Sequence, residues 1–426
     1  MRADATLVPH AEPVQLGLGM RIAVQVVVPA LIGTATGACV ALATWLAEGR
    51  VMMAVAALPG MWPALFSPLA LLATLGVVTS VTRTTTPSTA ELYIVTYYSR
   101  DAHLPLRQLP GRVLGAMTTV AFGGSQGLES PSALIGASFG DLLGRARRVL
   151  LPDDVRRSLL VCGASAGIAA VFSSPATGML YGMEIPFRRD VDARRLVPCA
   201  FAAACAFLTR AWLIGARRLA VAGEPPRLDG VFVLGVLLVG IGCGLGARAF
   251  AWAGAALKQL ARRGTPLGRA ASAGVVLAGL AVAGHVLTGR WITFGPGYLA
   301  ADWISDGGGP LWVLCAALLV RACGTLTCVY GGGGGGVFTS LACAGVFVGQ
   351  IVAVALGRDE SHVLPFLGAA CFLGAGYRLP LACMMLVFEG TASIAVGMAG
   401  VVAVAVGQVL MGRDSVSDAK HEERLD

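Results

Sequence analysis

Seven long stretches without a charged residue constrain the fold of this chain more than any other feature. Each reaches or nearly reaches the roughly 20 residues that a helix needs to cross a bilayer. Charged residues make up 13% of the 426 residues, whereas about a quarter is usual in soluble domains. The sequence therefore predicts a multi-pass protein of the cell membrane (the inner membrane if the source is bacterial) and excludes a soluble enzyme. The stretches are residues 22–47, 51–82, 158–183, 230–247, 270–289, 322–357 and 390–412.

The charged residues that remain are mostly arginines in short clusters between these stretches. Such clusters are typical of loops that face anionic lipid head groups. The net charge of +8 therefore indicates a lipid bilayer as the partner rather than nucleic acid. The 11 cysteines include no CxxC pair, and no spacing predicts a metal ion or another cofactor.

Several apolar stretches are interrupted or too short to cross a membrane. Residues 113–128 and 130–140 flank a lone Glu129, and the glycines 331–336 interrupt the stretch 322–357. Broken helices at membrane depth are tolerated only where they are buried in protein or line a watery cavity. This pattern predicts a transporter or channel rather than an enzyme or a simple membrane anchor.

Two sets of spaced residues occur twice along the chain, which indicates an internal repeat. In the first set, one offset of 205 residues relates each pair of glycines, prolines and glutamates: Gly163 and Gly368, Pro175 and Pro380, Glu184 and Glu389. In the second set the offset is 209 residues: Pro131 and Ser340, Gly136 and Gly345, Gly140 and Gly349. We therefore predict an all-α integral membrane fold of two inverted-topology repeats, with tilted and partly discontinuous helices.

The repeat also predicts how the chain is divided. In folds of this kind the substrate site lies where the repeats meet, near the middle of the membrane. The predicted parts are an N-terminal segment (1–21), a first membrane repeat (22–216), a linker (217–229), a second membrane repeat (230–412) and a C-terminal tail (413–426).

Glu129 is the sharpest candidate for a functional residue. A carboxylate at membrane depth is costly unless it is paired or hydrated, so it indicates function by default. Pro131 suits the first turn of a helix, which places Glu129 just before a helix N-terminus, where free N–H groups and the helix dipole stabilise its charge. An anion that uses those donors has to displace the carboxylate. We therefore predict that Glu129 is a gate released by protonation; a static helix cap is the alternative.

Two further segments are candidates for anion binding. The glycine run is followed by Val337 and Phe338, and a helix that starts there offers N–H groups to an anion without a fixed positive charge. A flexible hinge is the alternative for the glycines. Thr84 lies in the segment 83–87, where its hydroxyl either donates to an anion or caps a helix.

The remaining motifs predict structure more than chemistry. Residues 163–167 match the GxSxG pattern of a hydrolase around Ser165, but close packing of small residues between helices explains the glycines better. Glu184 and Glu389 are interpreted as carboxylates at helix ends. We expect Glu184 to pair with Arg188, one helical turn away.

With these features together, the chain resembles the CLC family of chloride channels and anion–proton exchangers. Residues 109–140 are similar to the family's GREGP segment and its approach, and residues 335–340 to its GxFxP segment. Residues 166–175 resemble the helix pair that follows GREGP. The likeness spans roughly residues 20–412 and is to a prokaryotic-type member, without regulatory domains after the membrane body.

The resemblance implies a role for each matching residue. Glu129 would be the gating glutamate and part of any proton pathway, and the family's small anion would be the substrate of a homodimer with one pore per subunit. The dimer would pack around Met183 and Gly397. The implied anion-binding residues are Thr84, Leu128, Ser130, Val337 and Phe338, and the pore-lining candidates are Gly336, Thr339, Ser340 and Val416.

This chain departs from the family's pattern at several places. The GSGIP segment survives only as residues 83–87, Ser340 replaces the proline of GxFxP, and Val416 stands near the position of the pore tyrosine. Ile185 occupies the position of the inner glutamate that serves protons in many exchangers. These departures leave uncoupled anion conduction and proton-coupled antiport both open, with a cation-coupled solute carrier and a membrane-embedded hydrolase as more remote alternatives.

Overall fold

The computed structural model describes residues 17–84, 89, 92–99, 103–145, 151–188, 190–215, 227–358, 362–417 and 419–420. Most of the predicted N-terminal segment, residues 217–226 of the predicted linker and the last six residues lie outside this set, as do residues 85–88. Nine helical segments in the described part are long and apolar enough to cross a membrane. The prediction of a multi-pass helical membrane protein is confirmed.

The helices follow one another with short connections. Their bounds are α1 Leu18–Ile22, α2 Val28–Thr44, α3 Met53–Ala56, α4 Trp62–Thr82, α5 Leu92–Tyr98, α6 Leu109–Ala121, α7 Glu129–Gly144, α8 Asp153–Phe172, α9 Pro175–Glu184, α10 Leu196–Ile214, α11 Gly230–Ala261, α12 Pro266–Thr288, α13 Tyr298–Ser305, α14 Leu311–Gly331, α15 Phe338–Ala355, α16 Val363–Tyr377, α17 Pro380–Thr391 and α18 Ile394–Met411.

The first crossing is longer than the uncharged stretch 22–47 predicts. Two π-helical segments, Ala23–Val27 and Trp45–Met52, join α1, α2 and α3 into one segment from Leu18 to Ala56. Glu48 lies within the second of these segments with its side chain buried, and the helix continues past it. The chain turns at residues 57–61 before α4 begins.

Two crossings, α10 and α14, were missed because each contains a buried arginine. The Arg210 guanidinium donates to the Ser173 hydroxyl and to the Gly215 carbonyl, over 2.8 and 3.0 Å. Arg321 is fully buried in α14 and donates to backbone carbonyls. Because the protein itself supplies these acceptors, an arginine does not mark the end of a membrane helix here.

The stretch 158–183 contains two helices, α8 and α9, rather than one. Ser173 has a positive φ of 55° and ends α8, and Pro175 opens α9. The second repeat does the same, because Arg378 (φ 52°) ends α16 and Pro380 opens α17. A proline at the first helical position is favoured there, since its missing N–H would have no partner in the helix.

The glycines of the repeat lie where helices touch backbone to backbone. A Cβ on Gly136 of α7 would collide with the carbonyl oxygen of Gly163 on α8. Gly345 of α15 meets Gly368 of α16 in the same way. The packing of small residues predicted for residues 163–167 is therefore present, and it recurs at the repeat-related position.

The two repeats also cap each other's helices. The Glu184 carboxylate at the end of α9 accepts from the N–H groups of Leu381 and Ala382 in the first turn of α17, over 2.8 and 2.7 Å. Glu389 at the end of α17 accepts in return from Ala176 and Thr177 of α9, over 2.8 Å each. Because each helix end meets the other's beginning, α9 and α17 run antiparallel, as a two-fold relation between inverted repeats requires.

The expected pairing of Glu184 with Arg188 was therefore wrong. The carboxylate satisfies N–H donors of the opposite repeat, which a helix N-terminus leaves without intrahelical partners. The Arg188 guanidinium instead donates to the carbonyl of Ser417, over 3.5 Å.

We predict that Gly136→Ala destabilises the protein, because the added methyl group meets a backbone carbonyl that cannot move aside. Overpacking of this kind costs roughly 1–3 kcal/mol. The matched control is Gly279→Ala in α12, where an added Cβ meets no atom within 4 Å. Thermal unfolding in detergent should show a lower midpoint for Gly136→Ala alone; equal midpoints for the two variants would contradict the proposed packing.

Candidate functional site

The interrupted helices of the two repeats meet at a pair of glycines. The N–H of Gly127 donates to the carbonyl of Gly336 over 3.0 Å, and the N–H of Gly336 donates back to Gly127 over 2.8 Å. Two residues after its glycine, each chain segment begins a helix, α7 at Glu129 and α15 at Phe338. This glycine bridge therefore brings two helix N-termini together inside the protein.

Three N–H groups of the glycine run are hydrogen-bonded within the protein. The N–H of Gly334 donates to the Thr119 hydroxyl over 3.0 Å, and the N–H of Gly335 donates to the Gln126 side-chain oxygen over 3.1 Å. Gly333 in turn donates to the carbonyl of Cys328. These bonds tie the run to the first repeat, which disfavours the hinge alternative and moves the available N–H groups to the start of α15.

Both helix starts lack a cap from their own preceding residue. Neither Leu128 before α7 nor Val337 before α15 makes a side-chain capping bond. Leu128, Val337 and Phe338 are buried, with at most 8% of each residue exposed. Because the first turn of a helix has N–H groups without intrahelical acceptors, the two starts form a buried region that favours negative charge.

Glu129 fills this region. It is the first residue of α7, slightly inside the helix rather than just before it as predicted, and it is fully buried. Its Oε1 accepts a hydrogen bond from the hydroxyl of Thr339, the second residue of α15. Its Oε2 accepts no hydrogen bond from the described residues. The carboxylate folds back over Gly127, where any Cβ would collide with it.

Arg321 is a buried cation, and its charge attracts the Glu129 carboxylate. Its guanidinium donates to the carbonyls of Thr293 and Gly295, over 2.7 Å each, and to the Ser340 hydroxyl over 3.3 Å. Ser340 replaces the family's proline, so its hydroxyl links α15 to this arginine. Arg321 breaks an otherwise uncharged stretch, and that break is the signal from which it could have been found.

Two tyrosine rings pack against Phe338. The Tyr377 ring stacks on Phe338 with centroids 3.8 Å apart, and the Tyr181 ring meets it edge-on at 5.9 Å. The hydroxyls of Tyr93 and Tyr181 are hydrogen-bonded to each other. The family pattern predicts a pore tyrosine only near Val416, so the sequence did not point to these three tyrosines.

The remaining predicted positions are Val416, Ile185 and Thr84. Val416 lies beside the end of α16, where its N–H donates to the carbonyl of Gly376 over 2.9 Å. Ile185 follows α9 and is buried among apolar residues. The hydroxyl of Thr84 was predicted to bind an anion or to cap a helix. It is hydrogen-bonded instead to the hydroxyl of Thr82, over 2.8 Å. The rest of its segment, residues 85–87, lies outside the described residues.

Ser165 is a packing residue in this structure. It is fully buried in α8, and its hydroxyl donates to the carbonyl of Gly178 over 2.6 Å. The GxSxG match at residues 163–167 is thereby explained by contact between α8 and α9.

Lys420 of the C-terminal tail ties that segment to the membrane body. Its ammonium donates to the carbonyls of Tyr377 and Arg378 at the end of α16, over 2.8 and 3.1 Å. Burial lowers the pKa of Lys420 from 10.5 to about 7; Glu184 opposes this change, whereas Arg378 and Arg188 add to it. Nothing in the sequence pattern of the short tail predicted this contact.

A family model described as voltage gated chloride channel matches residues 71–412. The chain belongs to this voltage-gated chloride channel family. The resemblance inferred from the sequence is thus confirmed, and the family is one of channels and transporters rather than enzymes.

Curated relatives of this chloride channel family cover different parts of the chain. A putative ClcB-like chloride channel protein of Ralstonia nicotianae (strain ATCC BAA-1114 / GMI1000) is 28% identical over 335 residues, 75% of this chain and 75% of that protein. A chloride/fluoride channel protein of Pseudomonas syringae pv. tomato (strain ATCC BAA-871 / DC3000) is 33% identical over 162 residues, 37% of this chain and 35% of that protein.

Solved structures of CLC type share the fold. A CLC-type fluoride/proton antiporter superposes with a TM-score of 0.81 at 20% identity, covering 96% of this chain and all of the other. A slow cyanobacterial Cl−/H+ antiporter gives 0.79 at 20% identity, over 92% and 96% of the two chains. These matches confirm the predicted all-α fold of two inverted repeats.

We predict that the stability of the wild-type protein rises with pH between about 7 and 10.5, in part because of Lys420. A lysine whose pKa is lowered by folding destabilises the native state fully below about pH 7, and this cost disappears as the pH approaches 10.5, the value in the unfolded chain. Lys420→Gln keeps a donor but does not titrate. Its unfolding midpoint in detergent should therefore rise less between pH 6 and 9; parallel curves would contradict the assignment.

Proposed function

We propose that this protein transports a small inorganic anion, chloride or a similar ion, across the membrane through a pore gated by Glu129. The observation that carries the proposal is the position of the Glu129 carboxylate, which is buried at the meeting point of two helix N-termini. Helix N-termini attract anions through their free N–H groups and the helix dipole. A carboxylate bound there occupies the place that a permeating anion would need.

Among the described residues, no cationic side chain hydrogen-bonds to the Glu129 carboxylate. This supports transport of an anion at this point rather than tight binding of it. The buried Arg321 guanidinium already donates to backbone carbonyls. An anion held by N–H groups and hydroxyls alone is bound weakly enough to leave, which conduction requires. The N–H groups of Val337 and Phe338 are the proposed ligands of the central ion, and Leu128 and Ser130 those at the start of α7.

Proton-coupled antiport is a second candidate, favoured by one observation. The two CLC structures compared above are described as proton antiporters, and Glu129 is a carboxyl group that can carry a proton between its buried position and water. Ile185 lacks an ionisable group for an inner proton site, which supports uncoupled conduction. Glu129 serves as the gate in either case.

We further propose a homodimer with one pore in each subunit. The family resemblance supports it, and Ile394 and Met398, which flank Gly397, expose 80% and 54% of their surfaces and are available for contact with lipid or with a second subunit. Met183, by contrast, is buried within the protomer, so the region around it would contribute neighbouring residues instead.

We predict that Glu129→Ala makes anion flux faster at neutral pH and nearly independent of pH, because the competing carboxylate is gone. The measurement is chloride efflux from liposomes containing the purified protein. Asp153→Asn is the control, since Asp153 lies at the start of α8, has half of its side chain exposed and pairs with Arg156 of the same helix. It should leave the pH dependence unchanged. Absence of anion flux from the wild type, or flux insensitive to Glu129→Ala, would contradict the proposed function.

The coupling alternative predicts that a chloride gradient drives proton movement into the liposomes. Because Glu129 would carry the proton, Glu129→Gln should abolish this movement while anion flux continues. Simultaneous recording of pH and of chloride, fluoride and nitrate fluxes tests the coupling. Anion flux without any proton movement in the wild type assigns the protein to uncoupled conduction.

A further inference from the structure

Thr339 connects the second repeat to the gate of the first. It is the second residue of α15, and its hydroxyl donates to Oε1 of Glu129, the first residue of α7. The GxFxP pattern leaves this position open, so the family resemblance gives Thr339 no role beyond lining the pore. A hydroxyl at this place is a property of this chain.

The residue at the equivalent position of the first repeat makes no such hydrogen bond to Glu129. Ser130 is related to Thr339 by the same offset of 209 residues and is likewise the second residue of its helix. Its hydroxyl is fully buried, makes no hydrogen bond among the described residues and lies against Gly336. Only the hydroxyl on α15 therefore reaches the carboxylate, although both helix starts carry one.

The Thr339 hydroxyl favours the Glu129 carboxylate more than any other group around it does, ahead of the N–H groups of Glu129 and Thr339. The carboxylate is fully buried, and Arg321 of α14 is the charged group that acts on it. A hydrogen bond to an ionised group is stronger than one between neutral groups, and it gains further in surroundings without water. Because Oε2 has no hydrogen-bond partner among the described residues, the Thr339 hydroxyl is the side-chain contact that holds the carboxylate over Gly127.

We propose that Thr339 is a positioning residue that holds Glu129 in the closed position of the gate. The proposal rests on the gating function of Glu129 proposed above. When the carboxylate leaves to admit an anion, this hydrogen bond breaks, so its strength sets the fraction of time for which the gate is closed. Thr339 thus regulates transport through Glu129 rather than through the anion itself.

The test compares chloride efflux from liposomes for Thr339→Val, Thr339→Ser and the wild type at neutral pH. Valine keeps the shape of threonine without the hydroxyl, and loss of a hydrogen bond to a charged group should raise flux by about tenfold. Thr339→Ser restores the donor and should behave as the wild type. Thr209→Val is the control, because Thr209 donates only to the carbonyl of Cys205 in its own helix, and it should leave flux unchanged.

The same substitution in a Glu129→Ala background separates this proposal from the gating function. Without the carboxylate, Thr339→Val should change flux by less than about twofold, since no hydrogen bond to a charge is left to lose. An equal rise in both backgrounds, or a fall in both, would overturn the role of Thr339 while Glu129 remains the gate. If Glu129→Ala itself does not alter flux, the proposed function fails first.

Discussion

The pair of backbone hydrogen bonds between Gly127 and Gly336 is the contact on which the rest of the site depends. It joins two interrupted helices inside the protein, where both glycines are buried. Glycine leaves room at both positions, because a Cβ on Gly127 would take the space of the Glu129 carboxylate and one on Gly336 would meet the Ser130 hydroxyl and backbone nitrogen. The close approach brings the starts of α7 and α15 together.

Interrupted helices are costly in a membrane, and this protein satisfies most of their ends with groups from the opposite repeat. Glu184 caps α17 and Glu389 caps α9, while Gln126 and Thr119 accept from the glycine run. These contacts are structural, although they involve carboxylates and hydroxyls of the kind that also bind ions. The starts of α7 and α15 differ because the group that fills them, Glu129, lies on a side chain that can move.

Much of the fold and part of the site could be predicted from the sequence. One strong local constraint, the high cost of charge in hydrocarbon, underlies three features of the sequence. These are the uncharged stretches, the isolated Glu129 and the offset between Glu184 and Glu389. The membrane crossings α10 and α14 were not predicted. Each contains an arginine, Arg210 or Arg321, whose guanidinium donates to carbonyls that are distant in sequence or lie beyond the helix. The pairing expected between Glu184 and Arg188 failed for the same reason.

The sequence by itself determined the membrane environment, the two-fold repeat and the unusual position of one carboxylate. Only the tertiary structure decided that Thr339 holds Glu129, that the N–H groups of the glycine run are already used, and that Tyr181 and Tyr377 pack against Phe338. Local spacing records where a charge or a helix break is tolerated. Which donor meets which acceptor depends on contacts between the repeats, some 200 residues apart in the chain, and no local pattern carries that information.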